Sequence, residues 1–300
     1  MRWQGRRQSS NIEDRRNQRI SAGEIGLRTG LAGIGFGLLR NGGKGYFILA
    51  LIFIALGYFG FDSFRFLFGG GMLQQTSSRI ESQALEPADD KRIQFIASVL
   101  AQTEDVWNEI FKARREQYIA PDLVLFRTAV RSACGAATAA IGPFYCASDR
   151  KIYLDETFFD QLASQFGSPG EFAQAYVIAH EVGHHIQNIT GTFAPIDRQR
   201  RIADEKTANV LTVRLELQAD CFAGVWAHYA GRQGIVEAGD IDSALNAAHE
   251  IGDDVLQNKS QGYVVPDSFT HGTAAQRMYW FKHGFKTGTV TSCNTMDGNI

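Results

Sequence analysis

Residues 175–187 read AYVIAHEVGHHIQ, and this stretch decides the fold. It contains the pattern His180-Glu181-x-x-His184, in which two histidines lie four positions apart. Side chains at that spacing share a face only when the segment is helical. The aromatic and aliphatic residues of the stretch recur at helical spacing, which predicts such a helix. The two imidazoles would therefore project together from one helix face.

Signals for the two ends of this helix flank the stretch. Ser168 is suited to the N-cap, Pro169 to the first helical position, and Glu171 would complete a capping box with the serine. Gly191 follows the last apolar residue and is suited to a left-handed cap at the C-terminus. The flanks therefore support a helix that begins and ends near these residues.

The spacing of the histidines suits a zinc ion. Zinc accepts imidazole nitrogens at about 2.0–2.1 Å, and a catalytic zinc site uses three protein ligands so that the fourth position holds water. His180 and His184 would supply two ligands, and Glu181 would act as the general base on the water. Two histidines are not enough, so a third ligand must come from elsewhere in the chain.

A second helix supplies the candidate for that ligand. Residues 215–224 read LELQADCFAG and place Glu216 and Asp220 on one helix face. The neighbouring side chains are apolar, and buried carboxylates are costly unless they are paired or bound to metal. A solvated acidic face is the alternative, and these neighbours argue against it. We expect Glu216 to bind zinc and Asp220 to accept the outer ring N–H of a histidine ligand.

HEVGHHIQ followed by ELQADCFAGVWA resembles the bacterial neutral zinc metallopeptidases of the YpfJ-like group, whose HExxH and ExxxD motifs are of the gluzincin type. The resemblance covers nearly the whole chain, including RWQGRR at residues 2–7 and NIEDRR at residues 11–16. It implies an α+β, zincin-like metallopeptidase domain, a small sheet with helices that carry the two motifs. It also implies one zinc ion per chain and a peptide or protein substrate of unspecified sequence.

Residues 268–277, SFTHGTAAQR, are a candidate source for a further catalytic group. Hydrolysis generates an oxyanion, and a side chain usually stabilises it together with the metal. His271 precedes a predicted helix start, and its position downstream of the ligands resembles that of the catalytic His or Arg in gluzincin-type peptidases. We expect His271 to take this role, with Arg277 as the other candidate. A plain loop at a helix start is the alternative to both.

Composition limits the class of protein. The 300 residues carry a formal net charge of −2, which gives no indication of nucleic-acid binding. A chain of this length allows one sizeable domain or two small ones with an ample core. The sequence does not predict an oligomeric state.

Charge is uneven near the N-terminus, where residues 1–44 carry nine Arg or Lys against three acidic residues. The uncharged apolar run 45–61 follows, and roughly 17 to 25 such residues can span a bilayer. A basic flank predicts a cytoplasmic arm at 1–44, a single transmembrane helix at 45–61 and export of everything that follows. A buried core helix and a cleaved signal peptide are the alternatives, and no small-x-small cleavage site follows the run.

The rest of the chain divides into a linker and a domain. Gly- and Ser-rich residues predict a flexible linker at 62–86 and a metallopeptidase domain at 87–300. This domain would face the periplasm or the exterior from the bacterial inner membrane. Its predicted elements are a long helix from Pro87, strands at 123–126, 144–146 and 151–154, and helices near 156–166, 240–257 and 273–282.

Four cysteines remain, and no Cys-x-x-Cys pair indicates a zinc ribbon. Export would permit disulfides, and four cysteines allow three connectivities. Cys134 and Cys146 flank a Gly- and Ala-rich loop and could pair locally, in which case Cys221 would join Cys293. Free buried thiols, or a catalytic thiol at Cys221, are the alternatives.

These observations predict a membrane-anchored zinc peptidase. The metal would activate a water molecule, Glu181 would carry its proton to the leaving amine, and His271 would stabilise the oxyanion. The alternative from another class is a catalytically idle, zinc-stabilised envelope scaffold or binding module. A structural zinc site has no use for a base at Glu181 and closes its fourth position with a protein ligand.

Overall fold

Residues 1–18 and 87–298 are described by a computed structural model, and they belong to one compact unit. The predicted α+β class is confirmed. The strands are β1 (Ile12–Asp14), β2 (Asp122–Phe126), β3 (Ala129–Ser132), β4 (Gly135–Thr138), β5 (Phe144–Cys146) and β6 (Lys151–Asp155). The helices are α1 (Pro87–Ala113), α2 (Thr157–Ser164), α3 (Glu171–Ile189), α4 (Phe193–Ile202), α5 (Glu205–Arg232), α6 (Asp240–Glu250), α7 (Asp253–Gln261) and α8 (Ala274–Thr287).

A four-stranded sheet has the order β1-β2-β6-β5. β1 pairs with β2, and β2 with β6, in parallel, whereas β5 runs antiparallel to β6 and forms the opposite edge. The two central strands, β2 and β6, each have four of five residues buried, as strands covered on both faces do. β3 and β4 form a separate hairpin between β2 and β5 in the chain.

Residues 1–18 are an integral part of this unit. β1 completes the parallel side of the sheet, and the buried Trp3 packs edge-on against Phe95 with ring centroids 5.5 Å apart. The guanidinium of Arg16 is buried and pairs with the buried Glu156 at 2.9 Å. Arginines that the sequence assigned to a solvated flank therefore have fixed partners inside the fold.

The prediction that residues 1–44 form an arm on the other side of a membrane from the domain is wrong for residues 1–18. A strand hydrogen-bonded to a sheet lies on the same side of any membrane as that sheet. The remainder of the arm, the membrane segment 45–61 and the linker 62–86 lie outside the described residues. Within residues 1–18 and 87–298, no helix is both long and apolar enough to cross a lipid bilayer.

α3 begins later than the sequence predicts, and the predicted capping box does not form. Gly170 is the N-cap, with no side-chain hydrogen bond to the first turn. The hydroxyl of Ser168 instead accepts a hydrogen bond from Asn246 at 2.7 Å, which ties the loop to α6. Gly191 adopts a left-handed conformation after the helix, with φ of 79°, as expected for a glycine in that position.

The close crossing of α3 and α5 depends on Gly183, which lies inside the HExxH pattern. A Cβ placed on Gly183 would lie 2.9 Å from both the Cα and the carbonyl oxygen of Ala219. Only a glycine allows the two helices to approach this closely. The crossing places Glu216 and Asp220, which flank Ala219 on α5, beside the histidines of α3.

α8 packs equally closely against the other side of α5. A Cβ on Gly224 would lie 2.1 Å from the carbonyl oxygen of Phe281, and one on Gly284 would lie 2.0 Å from that of Cys221. Two helices packed this closely fix the positions of the side chains that extend between them. Arg277 of α8 thereby reaches the polar group on α5 described below.

The predicted helix at 240–257 is two helices, and the chain turns sharply between them. α6 ends at Glu250 and α7 begins at Asp253. The backbone at Gly252 lies against Ala274, the first residue of α8, because a Cβ there would be 2.5 Å from its backbone nitrogen. The sequence also missed β1, the β3–β4 hairpin and α4, whereas the other helices and strands predicted within residues 87–298 are present.

Both disulfides have the partners that the sequence favoured. Cys134, in the turn of the β3–β4 hairpin, is joined to Cys146 at the end of β5. Cys221 of α5 is joined to Cys293 near the end of the described chain. Since the sulfur of Cys221 is engaged in this bond, the alternative of a catalytic thiol is wrong.

Candidate metal centre

Three side chains from two helices converge on one point. His180 and His184 come from α3, and Glu216 comes from α5. The Oε2 atom of Glu216 lies 3.1 Å from His180 Nε2, and its Oε1 atom lies 3.4 Å from His184 Nε2. The imidazole rings are perpendicular, with centroids 4.8 Å apart. All three ligand atoms lie within 4.8 Å of one another, so the group could hold a metal ion.

The geometry and charge of this group suit zinc. Donor atoms around one tetrahedral zinc lie about 3.4 Å from each other when each is about 2.0–2.1 Å from the metal. Burial alone would lower the pKa of His180, but the carboxylates of Asp220 and Glu216 outweigh it and raise that pKa to about 10. The pKa of His184 is also raised, because Glu216 outweighs burial. The surroundings therefore favour positive charge at this point.

Asp220 fixes the orientation of His180. Its Oδ1 atom lies 2.8 Å from His180 Nδ1, which leaves Nε2 facing Glu216. The same oxygen accepts a hydrogen bond from the Tyr176 hydroxyl at 2.5 Å. Burial alone would raise the pKa of Asp220, but the charges of Arg277 and His180 outweigh it and lower that pKa to about 2. Asp220 is therefore a carboxylate throughout the neutral pH range.

Arg277 binds Asp220 and is not free to bind a substrate. Its Nε and Nη2 atoms donate to the two carboxylate oxygens at 2.9 and 3.0 Å. Nη2 also contacts the Tyr176 hydroxyl at 3.1 Å, and Nη1 donates to the carbonyl oxygen of Ile251 at 3.2 Å. The side chain is buried. Of the two residues proposed for the oxyanion, Arg277 is therefore the one that holds Asp220 in place.

Gln187 orients the second histidine, a role that the sequence pattern did not predict. Its side-chain oxygen lies 3.0 Å from His184 Nδ1, and its amide nitrogen donates to the carbonyl oxygen of Leu215 at 2.6 Å. The residue is fully buried. The available signal was its position three residues after His184, one helical turn away.

Glu181 lies beside the ligands with one oxygen unpaired. Its Oε2 atom is buried and has no hydrogen-bond partner among the described residues. Burial raises the pKa of Glu181 above its usual value, although His184 and His180 act in the opposite direction. A buried carboxylate oxygen without a donor is costly, so its position next to a metal group indicates a chemical role.

His271 lines the same cleft and is held by Asp253. The Oδ1 atom of Asp253 lies 3.2 Å from His271 Nδ1. Its Oδ2 atom accepts the backbone N–H groups of Thr270, His271 and Gly272 at 2.7, 2.6 and 3.0 Å. Burial alone would raise the pKa of Asp253, but these hydrogen bonds outweigh it and lower that pKa. The sequence missed Asp253 because it expected a helix interior at this position.

His185 is buried on the far side of α3. Its Nε2 atom lies 2.6 Å from the carbonyl oxygen of Ile119, and its Nδ1 atom lies 3.1 Å from the Tyr145 hydroxyl. Burial lowers the pKa of His185 to about 4, so the imidazole is neutral near pH 7. Its spacing of one residue from His184 turns it away from the metal group, and it is fully buried between Ile119 and Tyr145 of β5.

A cleft of about 480 Å³ opens over the metal group. Its lining includes His180, Glu181, His184, Glu216 and His271, which the structure therefore brings together. The fold and this site define an α+β protein with a candidate metal centre of two histidines and one glutamate, a ligand set that zinc hydrolases use.

The chain belongs to the family described as "Putative neutral zinc metallopeptidase", which matches residues 1–296. It is 46% identical over 300 residues to the uncharacterized protein YpfJ of Escherichia coli K12, with 100% of each chain covered. An uncharacterized protein of Mycobacterium bovis is 40% identical over 225 residues, which are 71% of this chain and 74% of that one. No solved structure matches the chain.

Proposed function

We propose that this chain is a zinc-dependent peptidase that hydrolyses peptide bonds. The proposal rests on the placement of Glu181, whose buried Oε2 atom lacks a partner among the described residues and lies beside three grouped ligand atoms. A group kept for stability alone gains nothing from an unsatisfied carboxylate oxygen. Such an oxygen is expected where a carboxylate must take a proton from a reacting water molecule.

His180, His184 and Glu216 would hold one zinc ion, while Asp220 and Gln187 orient the two imidazoles. When bound, zinc supplies a Lewis acid that lowers the pKa of water from about 15.7 toward about 7. These five side chains come from two helices locked by close packing. The ligands are therefore positioned by the fold.

The chain's own groups account for the proton transfers. Glu181 would accept the proton of the attacking water at Oε2 and deliver it to the nitrogen of the leaving amine as the C–N bond breaks. His271, held through Nδ1 by Asp253, would donate from Nε2 in its doubly protonated form to the carbonyl oxygen on which negative charge develops. Arg277 keeps Asp220 ionised and so keeps His180 in its orientation.

The open edge of the sheet favours a peptide as the substrate. β5 is the edge strand of the four-stranded sheet, and Phe144 and Tyr145 of this strand line the cleft. An extended peptide can add to such an edge through main-chain hydrogen bonds. The peptide backbone would then lie beside the metal group.

A zinc-stabilised scaffold is the second candidate, and the ligand count argues against it. Within the described part of the chain, the group contains three ligands, His180, His184 and Glu216. A structural zinc site normally closes its fourth position with a fourth protein ligand. Three ligands with a neighbouring base are the pattern of a catalytic centre.

The decisive experiment compares Glu181→Gln with the parent. This change keeps the side-chain shape and all three ligands, so we expect about one zinc per chain and loss of nearly all hydrolysis of a broad peptide mixture, read by mass spectrometry. Glu171→Gln is the matched control, because Glu171 is exposed in the first turn of the same helix. Peptide cleavage by Glu181→Gln at the parent rate would contradict the mechanism.

Two further variants distinguish a residue that binds the metal from a residue that orients a histidine ligand. Glu216→Ala removes a ligand and should abolish tight zinc binding. Asp220→Asn should weaken zinc by roughly 10- to 100-fold, as changes at groups that orient ligands commonly do. Zinc content by atomic emission measures both. Equal zinc affinity in Glu216→Ala and the parent would exclude Glu216 as a ligand.

We also propose that the compact unit lies in the periplasm or outside the cell. Two disulfides support this location, because they persist in oxidising compartments. The apolar run 45–61 remains the reason to propose contact with the bacterial inner membrane. Residues 1–18 accompany the domain on its side of that membrane, since β1 belongs to its sheet.

A further inference from the structure

The cleft over the metal group has two chemically different parts. One part is the polar floor on α3 and α5, formed by the ligands and Glu181. The other part is a set of apolar side chains from four neighbouring segments. These are Ile141, Phe158, Phe166, Phe193, Ile251 and Leu256.

The apolar part differs from the protein core because its side chains are partly open. Ile141 is 63% exposed, and the other five are only partly buried. Apolar side chains that line a cleft are typical of ligand-binding sites, and burial against a ligand contributes about 25 cal/mol per Å². An apolar group on the substrate is therefore the complementary occupant.

The charged groups of the cleft offer no obvious partner for a free chain end. Among its described lining residues, every charged side chain belongs to the metal group, to Glu181, to His271 or to Arg277. The guanidinium of Arg277 is bound by Asp220 on both carboxylate oxygens. None of them is a fixed cation available for a C-terminal carboxylate, and the two lining carboxylates, Glu181 and Glu216, are the proposed base and metal ligand.

An enzyme that removes residues from a chain end must hold the charged end in its site. A terminal ammonium or carboxylate is costly to desolvate without a charged partner. An internal peptide segment carries no such charge and needs only main-chain hydrogen bonds and side-chain pockets. The lining of this cleft matches the internal segment.

On the basis of the peptidase function proposed above, we propose that this chain is an endopeptidase that selects a large apolar side chain beside the cleaved bond. Ile141, at the exposed end of the apolar set, and Phe158, from α2, are the residues that would contact this side chain. The specificity is set by shape and burial. A charged substrate side chain would lose its hydration against these residues without gaining a partner.

Cleavage of matched peptides tests the two parts of the proposal. The zinc-loaded full chain is given a peptide mixture in two forms, with free ends or with an acetylated N-terminus and an amidated C-terminus. We expect cleavage of both forms at similar rates, with Phe, Leu or Met next to the cleaved bond. Cleavage restricted to free-ended peptides, or beside charged residues, would overturn the inference.

Binding without turnover gives an independent measurement. The Glu181→Gln protein, loaded with zinc, is titrated with end-blocked fluorescent peptides that differ at one position, Phe against Lys. We expect the Phe peptide to bind at least about tenfold more tightly, as apolar pockets discriminate by that order. Equal binding of the two peptides would contradict an apolar pocket.

Ile141→Glu and Ile202→Glu form a matched pair of variants. Both isoleucines are exposed, at 63% and 89%, so neither substitution buries a charge. Ile202 is not among the lining residues of the cleft. We expect Ile141→Glu to lower kcat/KM for the Phe peptide about tenfold or more and to leave zinc content unchanged, whereas Ile202→Glu matches the parent. Equal kcat/KM values in both variants would show that Ile141 does not contact the substrate side chain.

The possible outcomes also distinguish a failure of this inference from a failure of the proposed peptidase function. If the zinc-loaded parent cleaves no peptide of any kind, the peptidase function itself fails. If it cleaves peptides at their ends or beside charged residues, the peptidase function stands and only the endopeptidase specificity is overturned.

Discussion

Gly183→Ala should weaken the metal site without changing a ligand. Gly183 lies between the two histidines on α3, where the helix crosses α5 at Ala219. A methyl group there would sit 2.9 Å from the Cα and the carbonyl oxygen of Ala219. Both atoms belong to the backbone, so no flexible side chain can move aside.

The required displacement follows from the contact distances. Ordinary contacts begin near 3.4 Å, so the two helices must separate by about 0.5 Å at this crossing. Glu216 and Asp220 flank Ala219 on α5 and would move with it, away from the histidines. Overpacking of this kind typically costs about 1–3 kcal/mol of folding free energy. We expect zinc affinity to fall by roughly 10- to 100-fold, the range for disturbed ligand orientation.

Gly231→Ala is the matched control, because Gly231 lies in α5 and a Cβ there would meet only side-chain atoms at 3.9 and 4.0 Å. This change should raise stability by up to about 1 kcal/mol, since alanine is the better helix former. Urea unfolding of the metal-free proteins and zinc competition with a chelator measure both effects. Parent-like stability and zinc affinity in Gly183→Ala would refute the view that this crossing sets the ligand spacing.

Four further predictions concern other parts of the molecule. Asp253→Asn should destabilise the fold by about 1–3 kcal/mol at pH 7 in urea unfolding and lower kcat, because the carboxylate accepts three backbone N–H groups. Since the pKa of Asp253 is lowered in the folded state, its contribution is present above an unfolded pKa of about 3.9 and is lost as pH falls through the folded value. The destabilisation should therefore shrink below about pH 4, and a difference that grows there would contradict this assignment. A mild dithiol should reduce Cys134–Cys146 first, because Cys134 is exposed and both sulfurs of the second disulfide are buried. Alkylation and mass spectrometry would show the order, and the loss of this 12-residue constraint should cost about 3 kcal/mol. Cysteines introduced singly at the exposed Gln8 and Ser260 should react alike with a membrane-impermeant maleimide on intact cells, and opposite labelling would contradict the pairing of β1 with β2. Chelation of the metal should abolish hydrolysis and leave the far-ultraviolet circular dichroism unchanged, whereas unfolding on chelation would favour the scaffold.

The candidate ligand set was predictable because its pattern is local. His180 and His184 share a helix face by spacing alone, and Glu216 and Asp220 share another. The apolar neighbours then indicate that the second pair is buried and needs a partner. One helix carries buried histidines and the other carries buried carboxylates. Packing of the two helices against each other gives both kinds of side chain their partners.

The N-terminal segment was not predictable on the same grounds. β1 is three residues long, and its segment carries the charges of Asp14 and Arg16 that are typical of a solvated flank. Its partners lie far away in the sequence, in β2 and at Glu156. A charge pattern shows that ions are present, but it does not show that they are paired inside a fold.

The side chains that orient the histidines could not be predicted from the sequence, for a related reason. Gln187 contacts His184 only because α5 presents the carbonyl oxygen of Leu215 to its amide nitrogen. Asp253 reaches His271 only because the chain turns between α6 and α7. In both cases the partner is a backbone group or a loop whose position depends on packing.

The arrangement of these supports indicates what the metal contributes. Each imidazole ligand has its own acceptor, Asp220 for His180 and Gln187 for His184, and Arg277 in turn neutralises Asp220. The helices that carry them meet at glycine crossings, and a disulfide closes the far side of α5. We expect a site held this firmly by packing to fold without a metal ion, in contrast to small zinc modules whose folding energy is the binding energy. A bound metal ion would then be free to serve chemistry, in agreement with the proposed role of Glu181 and its unpaired oxygen.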